Sequence, residues 1–189
     1  VTAIVVLYED SRPAQGNFGP HDFFLACVAD DRGSSLYALK RQALANPLNG
    51  VDKLLQTLQD LDSVNRLGPG GCPILAIVDA DKVREHLDSP ANTTAEAIAS
   101  QIRNDSSDPL RVTVVLLERN LESVVEAMRD CKEPALTLIA GALRKNLNDR
   151  DHLFESVGRD PGRRGIRDCV RKKVPSVEQV VKALASAIP

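Results

Sequence analysis

The sequence predicts an α/β fold: a mostly parallel sheet flanked by helices, followed by a helical C-terminal region. Three observations carry this expectation. The runs 3–9 (AIVVLYE), 73–79 (PILAIVD) and 111–118 (RVTVVLLE) are near-continuous aliphatic stretches rather than strict alternations, as in strands covered on both faces. Helical patterns lie between them, the strand–helix alternation of a parallel sheet. The composition, 43 % hydrophobic and 26 % charged over 189 residues, is that of an ordinary globular chain. No apolar run approaches the roughly 20 residues needed to span a bilayer, so no membrane partner is expected.

The elements follow in order. After the first strand, Gly19-Pro20 starts a helix, and HDFFLACVAD and SLYALKRQAL both read as helical. GVDKLLQTLQDL (50–61) places apolar residues at 51, 54, 55, 58 and 61, one face of a helix. RLGPGGCP (66–73) is a turn leading into the second run. TTAEAIASQIR (93–103) reads as a helix capped by Thr93 with Glu96 three residues on. NLESVVEAMRDC (120–131) follows the third strand, with Asn120 as its cap. PALTLIAGAL reads equally as a strand or a helix, and SVEQVVKALASAI (176–188) is a closing helix. The expected organisation is an α/β core over 1–133 and a helical, basic region over 134–189 packed upon it.

Composition excludes several chemistries. Cys27, Cys72, Cys131 and Cys169 form no CxxC pair, which argues against a zinc knuckle. Cys27 and Cys131 lie in apolar contexts and read as buried reduced thiols, which points to a cytoplasmic location. His21, His86 and His152 show no metal-binding spacing; His21, near the end of the first strand, reads as a first-turn residue or a proton shuttle. Aromatic residues are 3 % of the chain and Trp is absent, so platforms for stacking single-stranded bases are nearly lacking. No GxxxxGK[ST] occurs, and ATP hydrolysis would belong to a partner.

All three predicted strands end in acid: Glu9-Asp10, Asp79-Ala80-Asp81, and Glu118 with Glu122 one turn into the next helix. In a parallel sheet the C-terminal strand ends share one edge, where open α/β folds place ligands. Carboxylates gathered there repel unless a cation neutralises them or some are protonated. Oxygen ligands without His or Cys favour Mg²⁺ or Mn²⁺ over zinc. Such ions serve phosphoryl-transfer chemistry. The competing interpretation is that Asp81 merely caps the following helix.

A strand ending in Glu followed by a strand ending in Asp-x-Asp resembles the TOPRIM domain of topoisomerases, primases and OLD-family nucleases. The segment LLERNLESVV is similar to the Glu-containing segment after the DxD strand in OLD-like and small stand-alone TOPRIM proteins. The resemblance, over roughly residues 3–130, implies a TOPRIM-like, Rossmannoid fold. It implies Glu9 as metal ligand or general acid/base, Asp79 and Asp81 as Mg²⁺ (or Mn²⁺) ligands, and Glu118, with Glu122, as a further ligand. The catalytic set implied is Glu9, Asp79, Asp81 and Glu118, in a nuclease acting on DNA or RNA. Relatives of this kind often act in defence or mobile-element systems beside a separate ATPase, and a second copy of the chain is a further partner to expect. A non-catalytic interaction module on the same scaffold is the alternative. The family often has Gly after the first Glu; here Asp10 stands there, which leaves Asp10 or Asp22 as contributors.

The stretch 159–173 (RDPGRRGIRDCVRKK) holds seven basic and two acidic residues in a chain of formal net charge −2. Such a patch attracts a phosphate backbone. The expected nucleic-acid contacts are therefore Arg163, Arg164, Arg167, Arg171, Lys172 and Lys173, with Lys82 and Arg119 beside the acids.

Overall fold

The computed structural model describes residues 2–9, 19–68, 70–118, 121–131 and 147–189. The three aliphatic runs form strands β1 (Ile4–Glu9), β3 (Ile74–Asp79) and β4 (Val112–Leu117). A further strand, β2 (Ala43–Leu48), was not expected: the stretch 35–44, read as one helix, is the short helix α2 (Leu36–Lys40) followed by the start of this strand. ALANPL has no β-branched residue and carries Ala, Asn and Pro, all poor strand formers. It is a strand because it lies on the sheet edge, paired in parallel with β1 from Ile4↔Ala43 to Glu9↔Leu48. Pro47, which has no N–H to donate, is tolerated at an edge.

The sheet is wholly parallel, in the order β2-β1-β3-β4. The chain winds outward from β1 to β2, then crosses back to start β3 on β1's other side. The C-terminal ends of β1 and β3 therefore flank the point where the winding reverses, where such sheets open a crevice.

Helices cover both faces. One carries α3 (Val51–Gln59), α4 (Leu61–Arg66), α5 (Ala80–His86) and α6 (Ala95–Asp105). Their apolar residues pack on Val5, Leu7, Ile74, Ala76, Val78 and Leu116. The other carries α1 (Pro20–Arg32), α7 (Leu121–Asp130), α8 (Leu147–Arg159), α9 (Arg164–Lys173) and α10 (Pro175–Ala187). These pack on Ile4, Val6, Tyr8, Leu75, Ile77 and Leu117, so alternate strand residues feed opposite cores. The C-terminal helices thus share a buried cluster with β1 and α1; Phe154 meets Phe23 edge-on at 5.7 Å. α1 ends at Gly33 in the left-handed region (φ 61°), which closes the helix without a Cβ penalty.

Three local expectations need correction. The cap of α6 is Thr94, whose hydroxyl accepts from the Ala97 N–H, not Thr93. The helix over 50–61 breaks at Asp60, whose carboxylate accepts from the Ser63 N–H and starts α4. Cys131 is not a free thiol: it forms a disulfide with Cys169, tying α7 to α9, while Cys27 and Cys72 stay free and buried. The cysteines therefore do not argue for a reducing compartment. Among the described residues, no helix is long and apolar enough to cross a membrane. The segment 135–143, Asp10, Arg119 and the cap residue Asn120 lie outside the described residues.

Candidate active site

β1 and β3 are adjacent, with Tyr8 opposite Ile77, so Glu9 and Asp79 close neighbouring strands at the same edge. Both are buried, at 6 % and 4 % exposure. A buried aliphatic strand that ends on a carboxylate leaves that group half inside the core, and both acids carry the mark of it. Burial pushes the Glu9 carboxyl above its ordinary 4.5; Lys82 opposes the shift, Asp79 adds to it, and the Asp79 backbone N–H favours the charged form. Burial likewise raises Asp79 above 3.8, against Lys82 and reinforced by Asp81 and Glu122.

Between them stands Lys82, on the first turn of α5. Its Nζ lies 3.1 Å from Asp79 Oδ2 and 3.4 Å from Glu9 Oε2. The two carboxylates therefore meet on a single positive charge. Desolvation disfavours the ammonium, but Asp79 and then Glu9 overcome this and hold it above its ordinary value. The Glu9 Oε1, buried, accepts no hydrogen bond among the described residues. That is an expensive position for a carboxylate oxygen, worth about 1–3 kcal/mol or more when left unsatisfied.

The other expected ligands sit farther out. Asp79 itself occupies the cap position of α5 without a side-chain cap bond, so Asp81 is not the cap. Asp81 is exposed in the first turn, where its Oδ1 accepts from the Lys82 N–H at 2.9 Å. Glu122, exposed at the start of α7, is near enough to Asp79 to raise its pKa. Glu118 lines a cleft of about 370 Å³ with Ser123 and Lys173. Its N–H donates to Ser176 Oγ at 3.1 Å. Among the described residues, no three His, Cys, Asp or Glu side chains gather closely enough to hold a metal ion.

Asp22 does not join the pair. It is fully buried, receives the Gly19 N–H at 3.0 Å, and pairs with Lys40 Nζ at 2.9 Å. His21 lies 3.4 Å from it, and burial lowers the imidazole pKa. The ring folds back over Gly19, where an added Cβ would come within 2.8 Å of Nδ1. Among the described residues, His21 meets Asp22 and the Tyr8 ring, whose centroid lies 5.5 Å from its own.

The basic stretch is largely consumed inside the fold. Arg167 is 2 % exposed, gripping Asp30 through Nε (2.6 Å) and Nη2 (2.9 Å), with Nη1 on the carbonyls of Val157 and Asp160. That side chain cannot reach a phosphate backbone without unfolding its surroundings. Arg171 pairs with Glu178 at 2.6 Å and Asp31 at 2.7 Å. Arg163 contacts Ser156 and Asp160, Arg164 pairs weakly with Asp168 at 3.8 Å, and Lys173 lies 3.7 Å from Asp130. Lys172 is exposed. Sequence reading missed the Asp22–Lys40 and Asp30–Arg167 pairs, which join residues distant in the chain or hidden within an apolar face.

The fold and edge define a doubly wound parallel α/β protein with a buried acid pair at its winding reversal. Comparison with family models, curated proteins and solved structures found no match to this chain.

Proposed function

We propose that the chain is a Mg²⁺- or Mn²⁺-dependent nuclease of TOPRIM-like type that cleaves phosphodiester bonds in DNA or RNA. One observation carries this: Glu9 and Asp79 converge from adjacent strand ends on the Lys82 ammonium, and the buried Glu9 Oε1 accepts no hydrogen bond among the described residues. Mg²⁺ is commonly held by only one or two protein carboxylates, with water and substrate phosphate completing its shell. Two convergent acids therefore fit such an ion even without a third. Glu9 and Asp79 would hold it, with Asp81 and Glu122 at the rim. The ion supplies charge neutralisation of the phosphoryl oxygens and activation of water. The residues themselves fix the site in a rigid sheet edge and limit water access to Glu9.

The second reading is a non-catalytic interaction module. Its supporting observation is that Lys82 already pairs with both acids, while no three His, Cys, Asp or Glu side chains gather to hold a metal among the described residues. One experiment separates the two. Plasmid DNA and single-stranded RNA are incubated with wild type and Asp79→Ala in Mn²⁺ or Mg²⁺. The nuclease reading expects cleavage that Asp79→Ala reduces by at least about a hundredfold, the scale of losing a principal electrostatic group. Equal cleavage by both proteins, or none by either, sinks it.

A further inference from the structure

Lys82 is an odd neighbour for a metal site, because its ammonium occupies the ground a cation needs. Its contacts are unequal to a metal's: 3.1 and 3.4 Å, against Mg–O bonds of about 2.1 Å. It brings one charge to two carboxylates and leaves Glu9 Oε1 without a hydrogen bond among the described residues. A dication would bring two charges and draw both acids inward. Ammonium and dication cannot share the gap, since like charges so close repel strongly. The lysine can leave, however. Its side chain is 54 % exposed, anchored on the first turn of α5, and carried on a flexible four-carbon stem.

We infer that Lys82 is a resident counter-ion: it holds the Glu9–Asp79 pair closed, yields its place to the divalent cation, and then takes a phosphate of the substrate as its new partner. This rests on the metal reading above and specifies how that site loads. Displacement costs Lys82 two ion pairs, so the ion alone binds weakly. An anionic, phosphate-bearing substrate compensates the freed ammonium, so metal and substrate bind cooperatively. By linkage each must then tighten the other equally. The site would load as a metal–phosphate unit.

The test is a Mn²⁺ titration followed by electron paramagnetic resonance of the free ion, at low ionic strength. It is run with and without a short non-cleavable phosphorothioate oligonucleotide, on wild type, Lys82→Met, Lys82→Arg and Glu9→Gln. Lys82→Met keeps the stem and removes the charge. It should bind Mn²⁺ alone roughly tenfold more tightly than wild type, the order expected for removing one competing charge at a partly exposed site. The oligonucleotide should tighten Mn²⁺ binding several-fold in wild type and Lys82→Arg, and little in Lys82→Met. Melting curves provide an independent readout: without metal Lys82→Met should melt below wild type, and Mn²⁺ should raise its midpoint more. Equal Mn²⁺ affinity and equal midpoint shifts in wild type and Lys82→Met, with binding lost in Glu9→Gln, would overturn the counter-ion role and leave the metal site standing. Absence of Mn²⁺ binding in wild type and both Lys82 variants would overturn the metal site and this inference together.

Discussion

Glu9 and Asp79 are carboxylates forced into the end of a core, and their protonation should couple to stability. Burial lifts both above their ordinary values of 4.5 and 3.8. Between the ordinary and the raised value the folded state binds more protons than the unfolded one. The unfolding free energy therefore falls as pH rises through that window, and the gain from protonation is complete below the ordinary values. Replacing Glu9 by Gln removes one of the two titrations. We expect a shallower loss of stability with rising pH in Glu9→Gln than in wild type, measured by urea unfolding across the mildly acidic range. Identical slopes would show that Glu9 is not perturbed. Glu178 behaves oppositely: the Arg171 hydrogen bond lowers its pKa, so its contribution is present above 4.5 and lost as pH falls through the depressed value. The Lys82–Asp79 pair was half legible in the sequence, since the two are spaced i, i+3 at a helix start. The Glu9 half was not, because no local pattern tells that β1 and β3 are neighbours.

At the scale of elements, a continuous aliphatic run sufficed wherever burial was two-sided. β1, β3 and β4 were plain because aliphatic residues fill both cores. β2 was hidden because an edge strand needs no such run; Leu44 stays exposed, and backbone pairing to β1 suffices. The disulfide was equally hidden: Cys131 and Cys169 are 38 residues apart, and only the packing of α9 against α7 brings their Cα atoms to 6.0 Å. Closing a loop of that length should stabilise the fold by about 4 kcal/mol at most in the chain-entropy picture. Cys169→Ser is therefore expected to lose about 2–4 kcal/mol in denaturant unfolding under oxidising conditions. Wild type in reductant should approach the variant. A loss below roughly 0.5 kcal/mol, the range of ordinary surface substitutions, would mean that the bridge does not constrain the unfolded chain.

For the whole molecule, charge is distributed differently from what the linear sequence implied. Seven basic residues in 159–173 read as one patch, yet Arg167 and Arg171 are spent on Asp30, Asp31 and Glu178. The burial of Arg167 was foreshadowed by its place beside Ile166 and Val170 on the apolar face of α9. Charge reversal at Arg164 and Lys172, both exposed, should weaken binding to single-stranded DNA. It should also flatten the salt dependence by about one unit of log–log slope for each phosphate no longer neutralised. Unchanged affinity and slope would remove this face from nucleic-acid binding. What holds across scales is the sheet edge: two strand ends, made adjacent by the reversal of winding, aim two buried carboxylates at the Lys82 ammonium. The most direct measurement of that arrangement is anomalous diffraction from crystals of the protein soaked in millimolar Mn²⁺. A manganese peak bonded to Glu9 and Asp79, with Lys82 withdrawn, is the result expected. Lys82 still bridging both acids, with no manganese beside them, would contradict it.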